Sequence, residues 1–434
     1  MFQTIKNNIQ EDIRERNSSI SKEIMAGIAS FLSLSYIFVV NPSILAQAGM
    51  NPDSVLFATI IASGLATIAM GIYARLPFVL APGLEMNAYV AFIAVGTLGL
   101  SWQQGLGAVF WSGVIFIILT YLGIREHLIN SIPNKLKHAL AFTVGAFVFT
   151  IGLLLSGIFI YKGVDFQGVG SFTSDKAIVL YIGLACIILL GLLKIPGFIL
   201  LGIITASVYA NYVGIVEPYK ESPAIESTFG ILELFPFSSS MITAIIILFL
   251  VDFYGSLAKF IGMTIETEII EKDEKGNEIV PRTKEALTID GIATVGGSLL
   301  GTTSITTYVE SSIGISQGGR TGLVAITAGI LMLLVYFLMP YIHYIPVVAT
   351  SGALIYVGYM LIPKSNILIN YTKIDYITSL LMALLTIFTF SLDLAMIVGF
   401  SVYGFLEFKK KKSVNIMLVI SVILLILGRI LQWI

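Results

Sequence analysis

Long apolar stretches alternate with short charged or turn-forming segments along nearly the whole chain. A helix needs about 20 apolar residues to cross a bilayer, so each stretch predicts one membrane span, and roughly fourteen spans result. An apolar tail follows at residues 413–434. The pattern therefore predicts an all-α polytopic membrane protein. The predicted spans lie at residues 24–47, 54–73, 77–97, 104–124, 136–156, 177–193, 196–214, 241–263, 287–301, 302–317, 321–340, 345–363, 375–391 and 393–408.

Composition supports this class and excludes several others. Only 12% of the 434 residues are charged and 56% are hydrophobic, whereas a soluble domain carries about 25% charged residues. The formal net charge of -1 predicts no nucleic-acid partner. The single cysteine, Cys186, excludes disulfides and thiolate metal sites. The three histidines flank apolar segments, so we expect no metal site, and no cofactor beyond a coupling ion.

The distribution of lysine and arginine predicts the orientation. With residues 1–23 in the cytoplasm, most of the 25 Lys and Arg fall in cytoplasmic segments, and the opposite loops hold Lys162, Lys176 and Lys220. This is the positive-inside bias. Residues 1–23 contain no apolar core, so no cleavable signal peptide is predicted. We expect a multi-pass protein of the inner or plasma membrane with a cytoplasmic N-terminus.

The two halves of the chain resemble each other at an offset of about half its length. Val144-Gly145 recurs as Val357-Gly358, and an Ile-Pro pair precedes both at the same interval. Seven spans per unit is an odd number, so the second copy is expected to be inverted in the membrane. Inverted repeats are typical of secondary transporters, whose substrate site lies at the repeat interface near the midplane.

Spans 3 and 10 are interrupted by turn-forming and β-branched residues. Residues 76–83 form an extended run that ends in Pro-Gly, with a helical pattern from about Asn87 onward. Residues 301–308 are rich in threonine, and a helix is predicted from Ser311 to Gly318. We expect the two extended runs to pair and to direct two helix N-termini at a common cavity, where unpaired N–H groups favour a polar or anionic ligand.

Three carboxyls stand at these breaks or inside span 8: Glu85, Glu310 and Asp252. One charged side chain at mid-bilayer costs on the order of 3 kcal/mol, so three facing lipid would cost roughly 9 kcal/mol. They are therefore expected to be protonated, paired or turned into a polar cavity. A carboxylate that accepts N–H groups, together with backbone donors near Gly83 and at Ser311–Ser312, would suit a planar base.

The motifs at these positions resemble those of one family. They are Ala81-Pro82-Gly83 with Asn87-Ala88-Tyr89 in span 3, Val251-Asp252-Phe253 in span 8, and Thr307-Tyr308-Val309-Glu310-Ser311 before Gly318-Gly319-Arg320-Thr321-Gly322. Over nearly its whole length the chain resembles the nucleobase-ascorbate transporter family, within it the AzgA-like adenine/guanine/hypoxanthine permeases. The resemblance implies proton-coupled uptake of a purine base, with Asp252, Glu310 and Asn87 in contact with the substrate.

The resemblance also implies two inverted seven-span repeats, an elevator-like motion of a core domain against a gate domain, and a homodimer. The tail adds a C-terminal helix. The implied ranges are a cytoplasmic N-terminus at 1–23, core spans at 24–124 and 241–340, gate spans at 125–214 and 341–408, an extracytoplasmic loop at 215–240, a cytoplasmic loop at 264–289, and a basic linker with the tail at 409–434.

The chain departs from the AzgA-like pattern at two positions. The family's Pro-Gly-Met-Gly-x-Asn corresponds to Pro-Gly-Leu-Glu-Met-Asn here, so Glu85 replaces a glycine. The family's second aspartate in span 8 corresponds to Gly255. Our hypothesis is that Glu85 replaces the missing carboxylate from the facing break. The substrate is then expected to be a purine of the hypoxanthine, guanine or adenine class, or alternatively xanthine, uracil or another nucleobase-like compound.

Each candidate residue also has a simpler interpretation. Glu310 is predicted to accept the base's N–H, or else to compensate a helix dipole. Asp252 is predicted to carry the proton, with Glu310 and Glu85 as further candidates, or else to be a buried acid held by Ser or Thr hydroxyls. Asn87 either bonds the base or caps a helix. Lys259 either pairs with an acid in the cavity or extends to the cytoplasmic edge, and the second is favoured.

Other functions fit the sequence less well. An anion transporter of related fold is expected to have basic or neutral helix ends, whereas three carboxyls line this cavity. A channel does not need titratable groups at paired breaks. An intramembrane enzyme would use an acid pair such as Asp252 with Glu310, but that leaves the repeat unexplained. The sequence does not choose between a proton and sodium as the coupling ion.

Overall fold

The computed structural model of the chain describes residues 2–123, 133–162, 165–195, 197–215, 228–265, 271–272, 278–279, 282–342, 344–363, 368–369, 371–411 and 416–431. The α-helices in this part are α1 Phe2–Glu15, α2 Ile20–Leu34, α3 Ile37–Ala46, α4 Pro52–Ala69, α5 Leu84–Ala88, α6 Trp102–Tyr121, α7 Asn134–Leu155, α8 Asp175–Leu192, α9 Phe198–Tyr212, α10 Ser239–Ile265, α11 Thr283–Leu300, α12 Ser311–Ser316, α13 Gly322–Leu334, α14 Met339–Ile342, α15 Ser351–Met360, α16 Lys373–Thr389, α17 Leu392–Lys411 and α18 Ile416–Leu431.

Short π-helical and 3₁₀ segments extend several of these helices. The π-helices are Met70–Ala74 after α4 and Tyr89–Val95 after α5, and the 3₁₀ helices are Val335–Leu338 and Val347–Thr350. The strands are β1 Leu80–Pro82, β2 Phe159–Lys162, β3 Asp165–Val169, β4 Glu271–Lys272, β5 Glu278–Ile279 and β6 Ile305–Thr307.

Within the described residues, 7 helices are long and apolar enough to cross a membrane. Each predicted span coincides with a helix or, for the broken spans 3 and 10, with a strand–helix unit, and the tail coincides with α18. The predicted all-α polytopic fold is confirmed. The long candidates are Ile20–Ala46, Pro52–Ala74, Trp102–Tyr121, Lys135–Leu155, Asp175–Leu192, Ser239–Ser256 and Gly322–Ile342.

Local sequence sets where several spans begin. Asn51 caps α4 by accepting from the N–H of Asp53 at 2.9 Å. Ser101 and Gln104 form a capping box at the start of α6. Each cap satisfies backbone donors that have no partner inside the helix.

Contacts between the spans follow the repeat. Helices α7 and α15 cross where Gly145 and Gly358, the repeat-related glycines, touch. A Cβ on Gly145 would lie 2.7 Å from the Gly358 carbonyl oxygen, and one on Gly358 would lie 2.6 Å from that of Gly145. Span 2 packs on span 11, and the repeat-related span 9 packs on span 4. Equivalent helices therefore meet around an internal pseudo-twofold axis, as expected for inverted repeats.

The two broken spans pair as predicted. Strands β1 and β6 are antiparallel, with Leu80 opposite Thr307, Ala81 opposite Thr306 and Pro82 opposite Ile305. All six of these residues are buried. The backbone N–H and C=O groups of the two short strands hydrogen-bond to each other. This pairing allows non-helical backbone at membrane depth.

The helix after β1 begins earlier than predicted. Helix α5 starts at Leu84, with Gly83 as its N-cap residue, rather than near Asn87. The N–H groups of Met86 and Asn87 already bond to the Gly83 carbonyl, at 3.0 and 2.9 Å. Asn87 lies inside the helix and does not cap it, so the capping interpretation of Asn87 is wrong. On the other side, α12 begins at Ser311 and ends at Ser316.

Two elements were not predicted. Residues 2–15 form helix α1, which is held to the end of span 2 by Arg75. The Arg75 Nε donates to Asp12 Oδ2 at 2.6 Å. The second is the β2–β3 hairpin between spans 5 and 6. Neither has the long apolar pattern by which the membrane spans were found.

The tail helix α18 packs lengthwise against α10 and α17. Ser421 hydrogen-bonds to the Tyr254 hydroxyl, and a Cβ on Gly428 would lie 3.2 Å from the Ile247 side chain. Arg429 Nε donates to Asp393 Oδ2 at 2.8 Å. This order of contacts makes α18 antiparallel to α10. The predicted core and gate ranges stay predictions, as do the predicted loops where they fall on residues outside the described ones.

Candidate substrate-binding site

A cavity of about 20 Å³ lies where the two broken spans face α7 and α15. That volume holds about one water molecule. One part of its lining comes from spans 1, 3, 8 and 10, and the other from two repeat-related pairs, Val144 with Val357 and Val148 with Leu361. The lining residues are Tyr36, Leu84, Glu85, Val144, Val148, Lys259, Tyr308, Val309, Glu310, Val357 and Leu361.

Glu85 forms a buried ion pair with Lys259. The Lys259 Nζ donates to the Glu85 Oε1, and the two residues are 4% and 2% exposed, lysine first. The favoured prediction that Lys259 extends to the cytoplasmic edge is therefore wrong, and the alternative of a pair with an acid in the cavity is correct. The Glu85 carboxylate compensates the positive charge of Lys259 directly. Such a partner is required because an ammonium taken out of water has a large desolvation cost.

Glu310 is compensated differently. Its carboxylate accepts the hydroxyl of Tyr36, which comes from the link between α2 and α3. Its other oxygen, Oε2, has no hydrogen-bond partner among the described residues, and the side chain is fully buried. A buried carboxylate oxygen that lacks a donor costs free energy. Glu310 is thus the acceptor that lines the cavity without a cation bound to it.

Asp252 lies beside the second strand region. Its Oδ2 accepts the hydroxyl of Ser304, and Ser304 in turn shares a 2.9 Å hydrogen bond with Thr294. All three are buried. This is the simpler interpretation offered for Asp252, a buried acid held by hydroxyls of the neighbouring strand region, and it is compatible with carrying a proton.

Asn87 joins the two breaks. Its Oδ1 accepts the Thr303 hydroxyl, which precedes β6. Within the part of the chain that the structure describes, its Nδ2 has no partner. Asn41 precedes Asp252 by about the same offset as separates the two repeats, and it donates to Thr59 at 2.6 Å and to Thr302 at 2.9 Å. Two side-chain amides therefore flank the strand pair, and one of them keeps a free donor.

The predicted backbone donors are already engaged. The Gly83 N–H donates to the Ser304 carbonyl at 2.9 Å, that of Ser311 to Tyr308 at 3.1 Å, and that of Ser312 to Val309 at 2.9 Å. The Ser311 hydroxyl accepts from the Val79 N–H at 3.0 Å. Substrate contact by these three residues stays a prediction, and the charged donor that does line the cavity is Lys259.

Gly255 lies directly under the Glu85 carboxylate. A Cβ at this position would lie 3.1 Å from Glu85 Oε1. A carboxylate side chain at position 255 would therefore be crowded against the Glu85 carboxylate. The carboxylate of Glu85 in span 3 thus lies next to Gly255, the position where span 8 lacks the family's second aspartate, as the replacement hypothesis requires.

Sequence reasoning missed several partners in this site. Tyr36, Thr303 and Ser304 each donate to one of the predicted polar residues. The signal for the last two was the run of hydroxyl residues in residues 302–304. Among the described residues, no group of three or more His, Cys, Asp or Glu is placed to hold a metal ion.

Paired broken spans that bring polar and charged side chains together between inverted repeats define a membrane transporter. Solved structures share this fold. The transmembrane domain of the cyanobacterial bicarbonate transporter BicA aligns with a TM-score of 0.61 at 14% identity, covering 83% of this chain and 96% of that one. The murine anion transporter Slc26a9 aligns with a TM-score of 0.62 at 12% identity, covering 90% of this chain and 69% of that one. At such identities the likeness shows the fold alone.

Sequence comparison is more specific. A family model, that of the xanthine/uracil permeases and described as "Permease family", matches residues 21–400. The adenine permease AdeP of Escherichia coli is 34% identical over 399 residues, covering 90% of this chain and 88% of its own. The guanine/hypoxanthine permease PbuO of Bacillus subtilis is 31% identical over 416 residues, covering 92% and 94%. A putative permease of Methanocaldococcus jannaschii is 36% identical over 406 residues, covering 91% of each chain.

The chain belongs to the xanthine/uracil permease family, and within it to the AzgA-like purine permeases. It is a multi-pass membrane transporter and not an enzyme.

Proposed function

We propose that this permease is a proton-coupled symporter that brings a purine nucleobase of the hypoxanthine, guanine or adenine class into the cell. The observation that carries the proposal is Glu310: a fully buried carboxylate that lines the cavity and has one oxygen to which no described residue donates. The names of the relatives AdeP and PbuO supply the purine class. The protein lies in the inner or plasma membrane with its N-terminus in the cytoplasm.

A purine edge carries adjacent donors and acceptors, and the cavity offers their complements. An N–H of the base donates to Glu310 Oε2. A ring nitrogen or carbonyl of the base accepts from the Lys259 ammonium, and the free Asn87 Nδ2 offers a further donor. Hydrogen bonds to charged groups contribute about 1.5–3 kcal/mol each, so two of them contribute about 3–6 kcal/mol; a micromolar affinity corresponds to about 8 kcal/mol.

The coupling proton is carried by Asp252 or Glu310. Glu85 already has a cationic partner, the ammonium of Lys259. Asp252 accepts a hydrogen bond from the Ser304 hydroxyl, and Glu310 accepts one from the Tyr36 hydroxyl. Transport of one proton with a neutral base moves one charge, which is worth about 2.3 kcal/mol per 100 mV, or roughly fifty-fold accumulation.

Binding requires the lining to move. A cavity of about 20 Å³ is far below the roughly 300 Å³ at the small end of ligand pockets. Its apolar wall of Val144, Val148, Val357 and Leu361 belongs to the predicted gate spans, and its polar wall to the predicted core spans. Separation of these walls in an elevator-like motion opens the site to either side. A homodimer, held by the gate spans, is part of this proposal.

The test is uptake by the purified protein in proteoliposomes. Labelled hypoxanthine, guanine and adenine are compared under an inward pH gradient, with unlabelled xanthine, uracil and urate as competitors. We expect accumulation of at least one purine that a protonophore abolishes. Accumulation unaffected by the protonophore contradicts proton coupling, and uptake of uracil or xanthine alone moves the substrate to another base of the family.

A further inference from the structure

We propose that Lys259 is a built-in cation of the substrate site: its ammonium supplies beside Glu85 the positive charge that a bound Na⁺ would otherwise have to supply, and it makes uptake independent of Na⁺. The inference rests on the proposed function, since it names the coupling chemistry of the same site. It concerns the positive charge beside Glu85. The proposed proton carriers, Asp252 and Glu310, do not account for that charge.

The position of the ammonium is fixed by both broken spans. Glu85 of span 3 accepts from Lys259 Nζ. The ring of Tyr308, from span 10, has its centroid 5.3 Å from the same nitrogen, within the range of a cation–π interaction. The Tyr308 hydroxyl donates to the Pro82 carbonyl, so the ring itself is tied to β1. A cation is therefore held at the junction of the two breaks by one carboxylate and one aromatic face.

The ammonium also reaches the cavity. Lys259 and Glu310 line it together, and an ammonium has three N–H donors, of which Glu85 takes one. A bound Na⁺ would likewise lie between the Glu85 carboxylate and a ring nitrogen or carbonyl oxygen of the substrate. Because the lysine is covalently part of α10, the site keeps its positive charge without an ion from solution.

Burial explains why the pair acts as a unit. Both side chains are almost fully buried, and removal of one member of a buried pair leaves an uncompensated charge, which is far worse than removal of both. Loss of Lys259 alone thus leaves Glu85 in need of a cation. Loss of both charges leaves no such need.

A second lysine pair provides the matched control. Lys135 Nζ donates to Asp375 Oδ2 at 2.9 Å, but the Lys135 side chain is 36% exposed and does not line the cavity. Asp375 also accepts from Thr372 at 2.7 Å. Replacement of Lys135 removes an ion pair of the same type outside the substrate site.

The experiment measures purine uptake under a pH gradient in Na⁺ and in choline buffers. We expect equal wild-type rates in both. Lys259→Met should lose at least tenfold in choline and recover at least threefold in Na⁺. Lys259→Arg and the double variant Glu85→Gln/Lys259→Met should show no Na⁺ dependence, and Lys135→Gln should behave as wild type. A wild-type requirement for Na⁺, or a Lys259→Met rate equal to wild type in choline, overturns the inference.

A second readout separates this inference from the proposed function. The melting temperature of purified Lys259→Met should rise in NaCl relative to choline chloride, whereas that of wild type and Lys135→Gln should not, because Na⁺ binds only the folded variant. This shift needs no transported base. Its absence in a folded Lys259→Met overturns the built-in cation, and its presence alongside failed purine uptake overturns only the proposed cargo.

Discussion

The two broken spans have the same architecture but opposite electrostatics. Each is a three-residue buried strand followed by a short helix, and the strands pair with each other. In span 3 the carboxylate of Glu85 is bound by an ammonium. In span 10 the carboxylate of Glu310 is bound by a phenol hydroxyl, and its other oxygen has no donor in the part of the chain that the structure describes.

This difference teaches that one duplicated scaffold supplies two kinds of acid. An acid paired with a cation has its partner within the protein and holds the site in shape. An acid held only by a hydroxyl is available to a substrate N–H and to a proton. The position of a carboxylate in a break does not decide its role; its partner does.

The largest effect is expected at Glu310. Glu310→Gln replaces the charged acceptor, and loss of a hydrogen bond to a charged group costs about 1.5–3 kcal/mol. We expect purine affinity to fall by about 10–150-fold and accumulation against a gradient to disappear. Binding is measured by competition in proteoliposomes. The exposed Glu233→Gln serves as control, and unchanged accumulation in Glu310→Gln would remove Glu310 from the mechanism.

Glu85 and Gly255 are expected to show the next largest effect. Glu85→Gly leaves the buried ammonium of Lys259 without its partner, and uptake should fall at least tenfold, since an uncompensated buried charge is unfavourable. Adding Gly255→Asp should restore uptake, because residue 255 lies one helical turn before Lys259 and Asp–Lys pairs form at that spacing.

The isosteric Gly255→Asn in the same background is the control for this rescue. It fills the same space without a charge and should not restore uptake. Full activity of Glu85→Gly alone would refute the replacement hypothesis, and equal rescue by Asn and Asp would show that volume, and not charge, is what Glu85 supplies.

Asn87 and Thr303 test how the two breaks are joined. Asn87→Ala removes the Nδ2 donor, which has no partner among the described residues. Because one neutral hydrogen bond contributes about 1–1.5 kcal/mol, the KM for purine should rise by about 5–15-fold. Thr303→Val removes only the hydroxyl that holds the Asn87 Oδ1 and should raise KM less. A larger effect of Thr303→Val than of Asn87→Ala would mean that Asn87 is structural.

Tyr36→Phe is expected to have the smallest effect. It removes the hydroxyl donor from Glu310 but leaves the free oxygen in place, so a fall of about three- to tenfold in affinity is expected, in line with about 0.5–1.5 kcal/mol for one hydrogen bond. Thermal unfolding checks that the variant is folded. An effect as large as that of Glu310→Gln would show that the hydroxyl, and not the substrate, is the partner that Glu310 needs.

Much of the fold was predictable because the bilayer imposes one rule on every span. Apolar length revealed the spans and the tail, and the cost of charge at mid-membrane singled out Glu85, Asp252 and Glu310. The pairing of β1 with β6 followed from two extended runs at matching places, which need each other's hydrogen bonds. Helix α1 and the β2–β3 hairpin carry no such pattern and were missed.

The partners within the site were harder to predict for a physical reason. Spacing on α10 places Lys259 near the face of Asp252, but it gives neither its depth nor what approaches from span 3. The lysine stem reaches water or an internal acid equally well, and only the fold brings Glu85 to it. The early start of α5 likewise depends on the Gly83 carbonyl, which the β1–β6 pair positions.

The most direct test of the central claim is charge movement on addition of a purine base to proteoliposomes adsorbed on an electrode in Na⁺-free buffer. If Glu310 accepts the base while a proton enters with it, hypoxanthine, guanine or adenine should evoke a positive inward current in wild type that is lost in Glu310→Gln and kept in Glu233→Gln. Accumulation of labelled base by wild type without any current, or the same current in Glu310→Gln, would contradict the account.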